Sequence, residues 1–147
     1  MNPPKDDSLE QIECDVLAEY AGVAAENSSA RVVIRRAMRK TFDAFEIRAQ
    51  GRLVRAMLRW CEDPSLLTNE MFNGNEGNTS RHKKMLKAFK AFKVRLYGFS
   101  ITIGGRRTFI VVDADPSKKQ NKADPGILKR AKSRVDDLLD LLEKKES

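Results

Sequence analysis

Residues 93–134 read KVRLYGFSITIGGRRTFIVVDADPSKKQNKADPGILKRAKSR, and this stretch decides how the rest of the chain is interpreted. Apolar and polar residues alternate over 94–103, which predicts a half-buried strand. The glycine pair at 104–105 predicts a two-residue hairpin turn, because glycine takes positive φ without strain. Residues 108–114 are apolar on both faces, as in a central strand. Pro125 then marks the start of a helix with its apolar residues 3 or 4 positions apart.

The chain upstream of this stretch predicts helices. Residues 1–27 hold seven carboxylates and one lysine, and the helical spacing of apolar residues at 9–20 predicts an acidic helix. The polar residues 27–29 would end that helix and cap the next one, which we place from Ala30 onward.

The middle of the chain gives weaker signals. Residues 41–51 suit either a continuing helix or a short strand, and Gly51 weakens an unbroken helix. A clearer helix over 53–61 should stop before Pro64. A loop follows over 63–80, and Ser80 would cap a short helix over 81–92.

These elements predict an α+β fold: N-terminal helices, then a small antiparallel β-sheet of three or four strands, then a C-terminal helix. We divide the chain into an acidic N-terminal helical extension at 1–29 and a single α+β domain at 30–147, in which residues 93–134 form a basic strand–loop–helix unit. One domain with a real core is what a length of 147 residues supports.

Composition excludes several classes of protein. No run approaches the roughly 20 apolar residues of a membrane span, and the first residues lack the pattern of a secretory signal. Cys14, Cys61 and the single His82 provide neither a zinc spacing nor a disulfide framework. We therefore expect a cytoplasmic protein with buried thiols, no metal site, no cofactor and no membrane partner.

Positive charge is concentrated in one part of the chain. Residues 81–134 contain 16 Lys and Arg against three Asp, a local net charge of +13, whereas the whole chain carries +7. Such a concentrated positive field predicts a polyanionic partner, RNA or DNA first among them. The residues that we expect to bind nucleic acid are Lys83, Lys84, Lys87, Lys90, Arg106, Lys122, Lys129 and Arg130.

No catalytic motif stands out, so any chemistry must come from this basic group. Lys93 and Arg95 are two positions apart and should project from one strand face. Converging cations bind phosphate oxygens, and could stabilise the charge that develops when a 2′-hydroxyl attacks its own phosphodiester. A lysine, or Tyr97, could transfer the proton if its pKa were shifted.

The segment TFIVVDADPSKKQNKADPGILKRAKSRVDDLL, residues 108–139, resembles the end of RelE/HigB-like toxins of bacterial toxin–antitoxin pairs. In that family a final strand runs into a basic KK-x-x-K loop and then a helix with the pattern I-x-x-A-x-x-R, in which the Ile-to-Ala and Ala-to-Arg spacings vary. FKVRL at 92–96 is similar to the family's strand with an inward arginine. The matching residues here are Lys118, Lys119, Lys122, Ile127, Ala131, Arg134 and, in the strand, Arg95.

The resemblance implies a RelE-like α+β domain and a ribosome-dependent, metal-independent mRNA endoribonuclease that inhibits translation and is neutralised by an antitoxin. The ParE-like branch of the family implies instead a toxin that targets gyrase. Two other interpretations stay open: a basic nucleic-acid-binding module without catalysis, and a protein-interaction domain whose target is acidic, such as an antitoxin tail or a gyrase surface. For the toxin, the expected catalytic residues are Lys93, Arg95, Arg107, Lys118 and Lys119.

Overall fold

The computed structural model describes residues 22–27, 29–116 and 123–146. Its strands are β1 (Gly22–Glu26), β2 (Ala30–Ile34), β3 (Phe72–Asn73), β4 (Lys87–Ala91), β5 (Val94–Ile103) and β6 (Arg106–Asp115). Its helices are α1 (Arg36–Asp43), α2 (Ile47–Glu62) and α3 (Pro125–Glu146), with a short 3₁₀ turn at Pro64–Leu66.

The described strands form one mixed sheet in the order β1-β2-β6-β5-β4-β3. Strands β4, β5 and β6 are an antiparallel meander, and β1 pairs antiparallel with β2. Strand β2 runs parallel to β6, with Ala30 opposite Arg107 and Ile34 opposite Val111. The prediction of an α+β fold is confirmed. The predicted sheet was wrong in its details, because it has six described strands and one parallel pair.

Helices cover both faces of the sheet. Helices α1 and α2 pack on one face around Leu53, Met57, Trp60 and Phe109. Helix α3 packs on the other through Ala131, Val135, Leu138 and Leu142, the side chains whose spacing predicted it. We call these the α2 face and the α3 face. Since side chains alternate along each strand, neighbouring strand residues are assigned to opposite sides of the molecule.

Two predicted helices are strands. Residues 30–34 are β2, where every position is buried. The run Val32, Val33 and Ile34 is β-branched, which favours a central strand buried on both faces, and this outweighs the helical spacing of its apolar residues. Asn27 closes a turn before β2, with its Oδ1 accepting hydrogen bonds from the amides of Ser29 and Ala30.

Residues 81–92 were also predicted as a helix, and they form a turn followed by β4. Leu86 and Ala88 contact the α3 face, whereas Phe89 and Ala91 contact the α2 face. The same residues satisfy a helical pattern and a strand pattern. Pairing with β5 decides between them, because β4 gains a ladder of hydrogen bonds there.

Other boundaries agree with the sequence. Helix α2 ends at Glu62, before Pro64, and the glycines of the β5–β6 turn have φ of 59° and 79°. The expected helix at 9–20 lies outside the described residues. Residues 22–26 of the predicted helical extension are strand β1 and belong to the sheet. None of the helices that the structure describes is both long and apolar enough to cross a bilayer.

Candidate nucleic-acid interface

A basic cleft opens on the α2 face beyond the C-terminal end of α2. Its volume is about 410 Å³. Three cations line it, Lys84, Lys87 and Arg107, and the hydroxyls of Ser100 and Thr102 lie beside them. Aromatic rings and a proline complete the wall, namely Trp60, Phe72 and Pro64.

Arg107 is held in place by the end of α2. Its Nη2 donates hydrogen bonds to the carbonyls of Trp60, at 3.1 Å, and Cys61, at 3.2 Å. Carbonyls at a helix C-terminus lack partners within the helix and carry partial negative charge. The guanidinium carbon also lies 4.6 Å from the centroid of the Trp60 ring. Because both hydrogen bonds use Nη2, the Nε and Nη1 donors are left to contact a ligand.

The two lysines of the cleft are partly removed from water. Burial lowers the pKa of Lys84, and repulsion from Lys87 lowers it further. Burial also lowers the pKa of Lys87, whose Nζ donates a 3.0 Å hydrogen bond to Ser100 Oγ. Among the described residues, neither lysine forms a salt bridge, and neither does Arg107. An incoming anion would therefore find these charges without carboxylate partners.

A rigid aromatic floor supports the cleft. The Phe89 ring lies 4.6 Å from Phe109 and 5.1 Å from Phe72, measured between centroids. Trp60 packs edge-on against Phe109 at 5.7 Å. Trp60 itself is buried beneath Arg107, so half-buried Phe72 is the ring on which a base could stack. Cations with an adjacent aromatic ring are the usual components of a single-strand binding surface.

The arginines of the α3 face are paired with buried carboxylates. Arg130 forms a two-pronged contact with Asp113, at 2.7 and 2.8 Å, and Arg134 reaches the same carboxylate at 3.1 Å. Asp113 is only 1% exposed. Arg95 lies 3.6 Å from Glu76, and both side chains are largely buried. These contacts hold the α3 face together, and each of the three arginines already has a carboxylate partner.

Two residues considered for catalysis have unsuitable surroundings. Tyr97 is fully buried, and its pKa is raised by burial first and by Glu76 second, so its phenol stays protonated at neutral pH. Lys93 lies exposed in the β4–β5 turn rather than on a strand, because β5 begins at Val94. The prediction that Lys93 and Arg95 share a strand face was therefore wrong.

The remaining predicted residues are dispersed. Lys83 is exposed at the turn before the cleft, with a φ of 55°, and Arg106 contacts Glu26 and the carbonyl of Asn27 near β1. Lys129 is an exposed residue of α3. Lys90 lines a separate cavity described below. Of the predicted set, the structure brings together Lys84, Lys87 and Arg107, and the residues outside the described ranges are Lys118, Lys119 and Lys122.

His82 belongs to an ion-pair cluster on α3. Its Nε2 lies 2.7 Å from Asp140 and its Nδ1 3.5 Å from Glu143. One donor atom from each of these three residues lies within 4.8 Å of the others, the spacing of a metal site. Arg81, however, also contacts Asp140, and it pairs with Asp137 at 2.8 Å. The cluster ties the turn at 80–82 to α3.

Sequence reasoning missed a row of arginines on α2. Arg48, Arg52, Arg55 and Arg59 are spaced 4, 3 and 4 residues apart, which places them on one side of the helix. We call these four residues the arginine ridge. The guanidiniums of Arg48 and Arg52 lie 5.2 and 4.3 Å from the ring of exposed Phe92. The signal was present in the sequence, but it falls outside the stretch with the highest net charge.

Searches with the whole chain against protein-family models, curated proteins and solved structures found no match.

Proposed function

We propose that this protein binds RNA in the basic cleft and acts there as a toxin-like mRNA endoribonuclease. One observation carries the proposal: Lys84, Lys87 and Arg107 meet in an open cleft beside an aromatic ring, and they have no carboxylate partner among the described residues. Three cations at one point favour a phosphate chain over a neutral ligand.

Cleavage is the chemistry that these residues could assist. The 2′-hydroxyl gives up its proton as its oxygen bonds to the adjacent phosphorus, and the resulting phosphorane, whose extra negative charge Arg107 would stabilise, then breaks its P–O5′ bond. The products are a 2′,3′-cyclic phosphate and a 5′-hydroxyl that has taken up a proton. Proton transfer is most efficient when the pKa of the donor or acceptor is close to the working pH. Burial lowers the pKa of Lys84 and of Lys87 from the usual lysine value, which is a shift toward the working pH.

The resemblance to RelE/HigB-like toxins supports the same proposal. It implied helices, a loop, a meander and a closing helix, and the described chain has α1 and α2, then the β4–β6 meander, then α3. We extend the proposal accordingly to a protein that cuts translated mRNA and whose basic surface an antitoxin covers.

The test is to incubate the purified protein with ribosomes that translate a defined mRNA and to map new 5′ ends by primer extension. Parallel reactions contain the mRNA alone. We expect cuts only on the translated message. Lys84→Ala with Lys87→Ala should abolish them, because the variant loses two of the three cations in the cleft.

The matched control is Lys129→Ala with Lys132→Ala, which removes the same charge from α3 on the opposite face. Cleavage should persist in this control at the parent rate. Cuts that depend on Lys129 and Lys132 instead would move the active surface to the α3 face and refute the proposed site.

Binding without catalysis is the second candidate, because the described residues that line the cleft include no histidine and no carboxylate. It predicts no cuts in any tube. Salt-sensitive RNA binding that needs Lys84 and Lys87 would then remain as the function of the cleft.

A further inference from the structure

A second cavity on the α2 side contains most of the arginine ridge. Its volume is about 300 Å³, and four cations line it: Arg52, Arg55, Arg59 and Lys90. Thr68, Glu70 and Met71 complete the lining. We call it the arginine pocket. Four cations against one carboxylate give the cavity a positive charge that a phosphate group would balance.

The ridge arginines are available to a ligand. Among the residues that the structure describes, none of the four arginines of the ridge forms a salt bridge. Arg52 and Arg55 are exposed, and Arg59 is half-buried with its Nη1 3.1 Å from the sulfur of Met71. The sulfur is a weak acceptor, so the other donors of Arg59 are left for a stronger one.

The arginine pocket and the basic cleft are neighbours. Arg59 lines the pocket and the next residue, Trp60, lines the cleft. Likewise, Met71 lines the pocket and the next residue, Phe72, lines the cleft. The two cavities thus lie on either side of the segment at 71–72, close enough for one polymer to enter both.

The linings of the two cavities differ in what they can recognise. The cleft has an exposed aromatic edge and hydroxyls, which suit a base and a sugar. The described residues of the pocket include three guanidiniums and no aromatic side chain, a lining that suits phosphate oxygens. A surface of this composition adds affinity and register without sequence preference.

We propose that the arginine pocket is a second phosphate-binding site, which holds the backbone of the same RNA strand beyond the nucleotide in the cleft. This inference rests on the proposed function, because the strand is the one that the cleft binds. A free pyrophosphate offers the same closely spaced phosphates, so the test separates the two sources.

The experiment measures binding of a trinucleotide and of a single-stranded RNA of about ten nucleotides, a length within the range of known single-strand sites. The full chain and its Arg52→Ala/Arg55→Ala variant are compared over a range of salt concentrations. We expect the variant to bind the trinucleotide like the parent. For the longer RNA its affinity should fall, with a slope of log K against log salt smaller by about 1.4.

Lys129→Ala/Lys132→Ala is the control for net charge and should leave both affinities within about twofold of the parent if specific phosphate contacts dominate. Pyrophosphate should compete with the longer RNA for the parent and lose that effect in the arginine variant. Equal affinity of parent and arginine variant for the longer RNA would overturn the inference. Pyrophosphate binding that depends on Arg55 but does not compete with RNA would overturn it as well, and would identify a site for a free anion.

Failure of the proposed function has a different result. The cleft is not an RNA site if the parent protein does not bind the trinucleotide. The same conclusion follows if the variant with Lys84→Ala and Lys87→Ala binds the trinucleotide as tightly as the parent does. A circular dichroism melt of each variant excludes loss of fold as the cause, since both substituted arginines are exposed.

Discussion

Both faces of the sheet carry cations, but the two faces use them differently. On the α3 face, Arg95 and Arg130 meet the carboxylates of Glu76 and Asp113, so their charges contribute to cohesion. On the α2 face, Lys87 donates a hydrogen bond to the Ser100 hydroxyl, and its charge repels that of Lys84. The comparison shows that net charge along the chain locates a basic region. The positions of the carboxylates decide which cations in that region can bind a partner.

The largest effect should come from a substitution that disturbs both faces together. In Gly98→Ala the new Cβ would lie 2.2 Å from the carbonyl oxygen of Ile110 and 2.6 Å from the Phe109 ring, at a bulge between β5 and β6. Overpacking against backbone costs about 3 kcal/mol of unfolding free energy. Urea denaturation measures it.

Gly51→Ala is the matched control, because a Cβ there meets nothing within 4 Å inside α2. Alanine is the better helix former by about 1 kcal/mol, so this variant should be more stable than the parent. A loss of stability in Gly51→Ala, or none in Gly98→Ala, would contradict the packing described for the two positions.

The next effect should be confined to the α3 face. Asp113→Ala removes a buried carboxylate that binds Arg130 and Arg134, and it should lower the unfolding free energy by about 2 kcal/mol, the scale of hydrogen bonds to charged groups. RNA affinity should stay at the parent value. Urea denaturation and fluorescence anisotropy test the two statements, and a variant that loses RNA binding while it remains folded would show that the faces are not separate.

A smaller and opposite effect is expected on the α2 face. Lys84→Met removes a cation that is partly withdrawn from water, so the unfolding free energy should stay equal or rise by less than about 1 kcal/mol. RNA affinity should fall about fivefold at about 0.1 M salt, the contribution of one phosphate contact to a single strand. A Lys84→Met variant that is less stable than the parent and binds RNA with the parent's affinity would contradict both expectations.

The pH dependence of the unfolding free energy tests the lowered pKa of Lys84 and Lys87. The folded pKa of Lys84 and of Lys87 is lowered, so in alkaline solution the folded state binds fewer protons than the unfolded state. The contribution of these lysines to stability therefore rises with pH from the lowered folded pKa to the ordinary value. Denaturation across that interval should show the rise in the parent and a smaller one in Lys84→Met.

The smallest effect concerns Cys61, next to the cleft. Burial raises the pKa of its thiol to about 11, even though Arg107 and Arg106 lower it in part. Reaction with iodoacetamide requires the thiolate. Cys61 should remain unlabelled near pH 8 in the folded protein and react after denaturation, as mass spectrometry of the peptide would show. Rapid labelling of the native protein would mean that the end of α2 opens.

The local sequence pattern predicted the secondary structure correctly where it fitted only one conformation. The Gly104-Gly105 turn, strand β6 and helix α3 follow directly from glycine geometry, a two-sided apolar run and helical spacing. Residues 30–34 and 86–91 fit both a helical and a strand pattern, and pairing with β6 and with β5 selects the strand. Those partners are invisible to a local pattern.

The site shows the same limit. Lys84, Lys87 and Arg107 were among the predicted residues, but so were Arg95 and Arg130. The carboxylates that pair with these two arginines, Glu76 and Asp113, lie 19 and 17 residues before them in the chain. Only the folded chain shows which arginine reaches a carboxylate. The arginine ridge could have been found by testing the spacing of arginines as well as that of apolar residues.

The parallel pairing of β2 with β6 has a consequence for the order of folding. Strand β2 lies between β1 and β6, so its second edge stays unpaired until the last strand of the sheet has formed. Two helices and strands β3, β4 and β5 lie between these partners along the chain. Such non-local contacts slow folding because a long loop must close first. Arg107 lies at the start of β6, opposite Ala30. The cleft is therefore completed by the same late step that closes the sheet, and a partly folded chain would carry no assembled site.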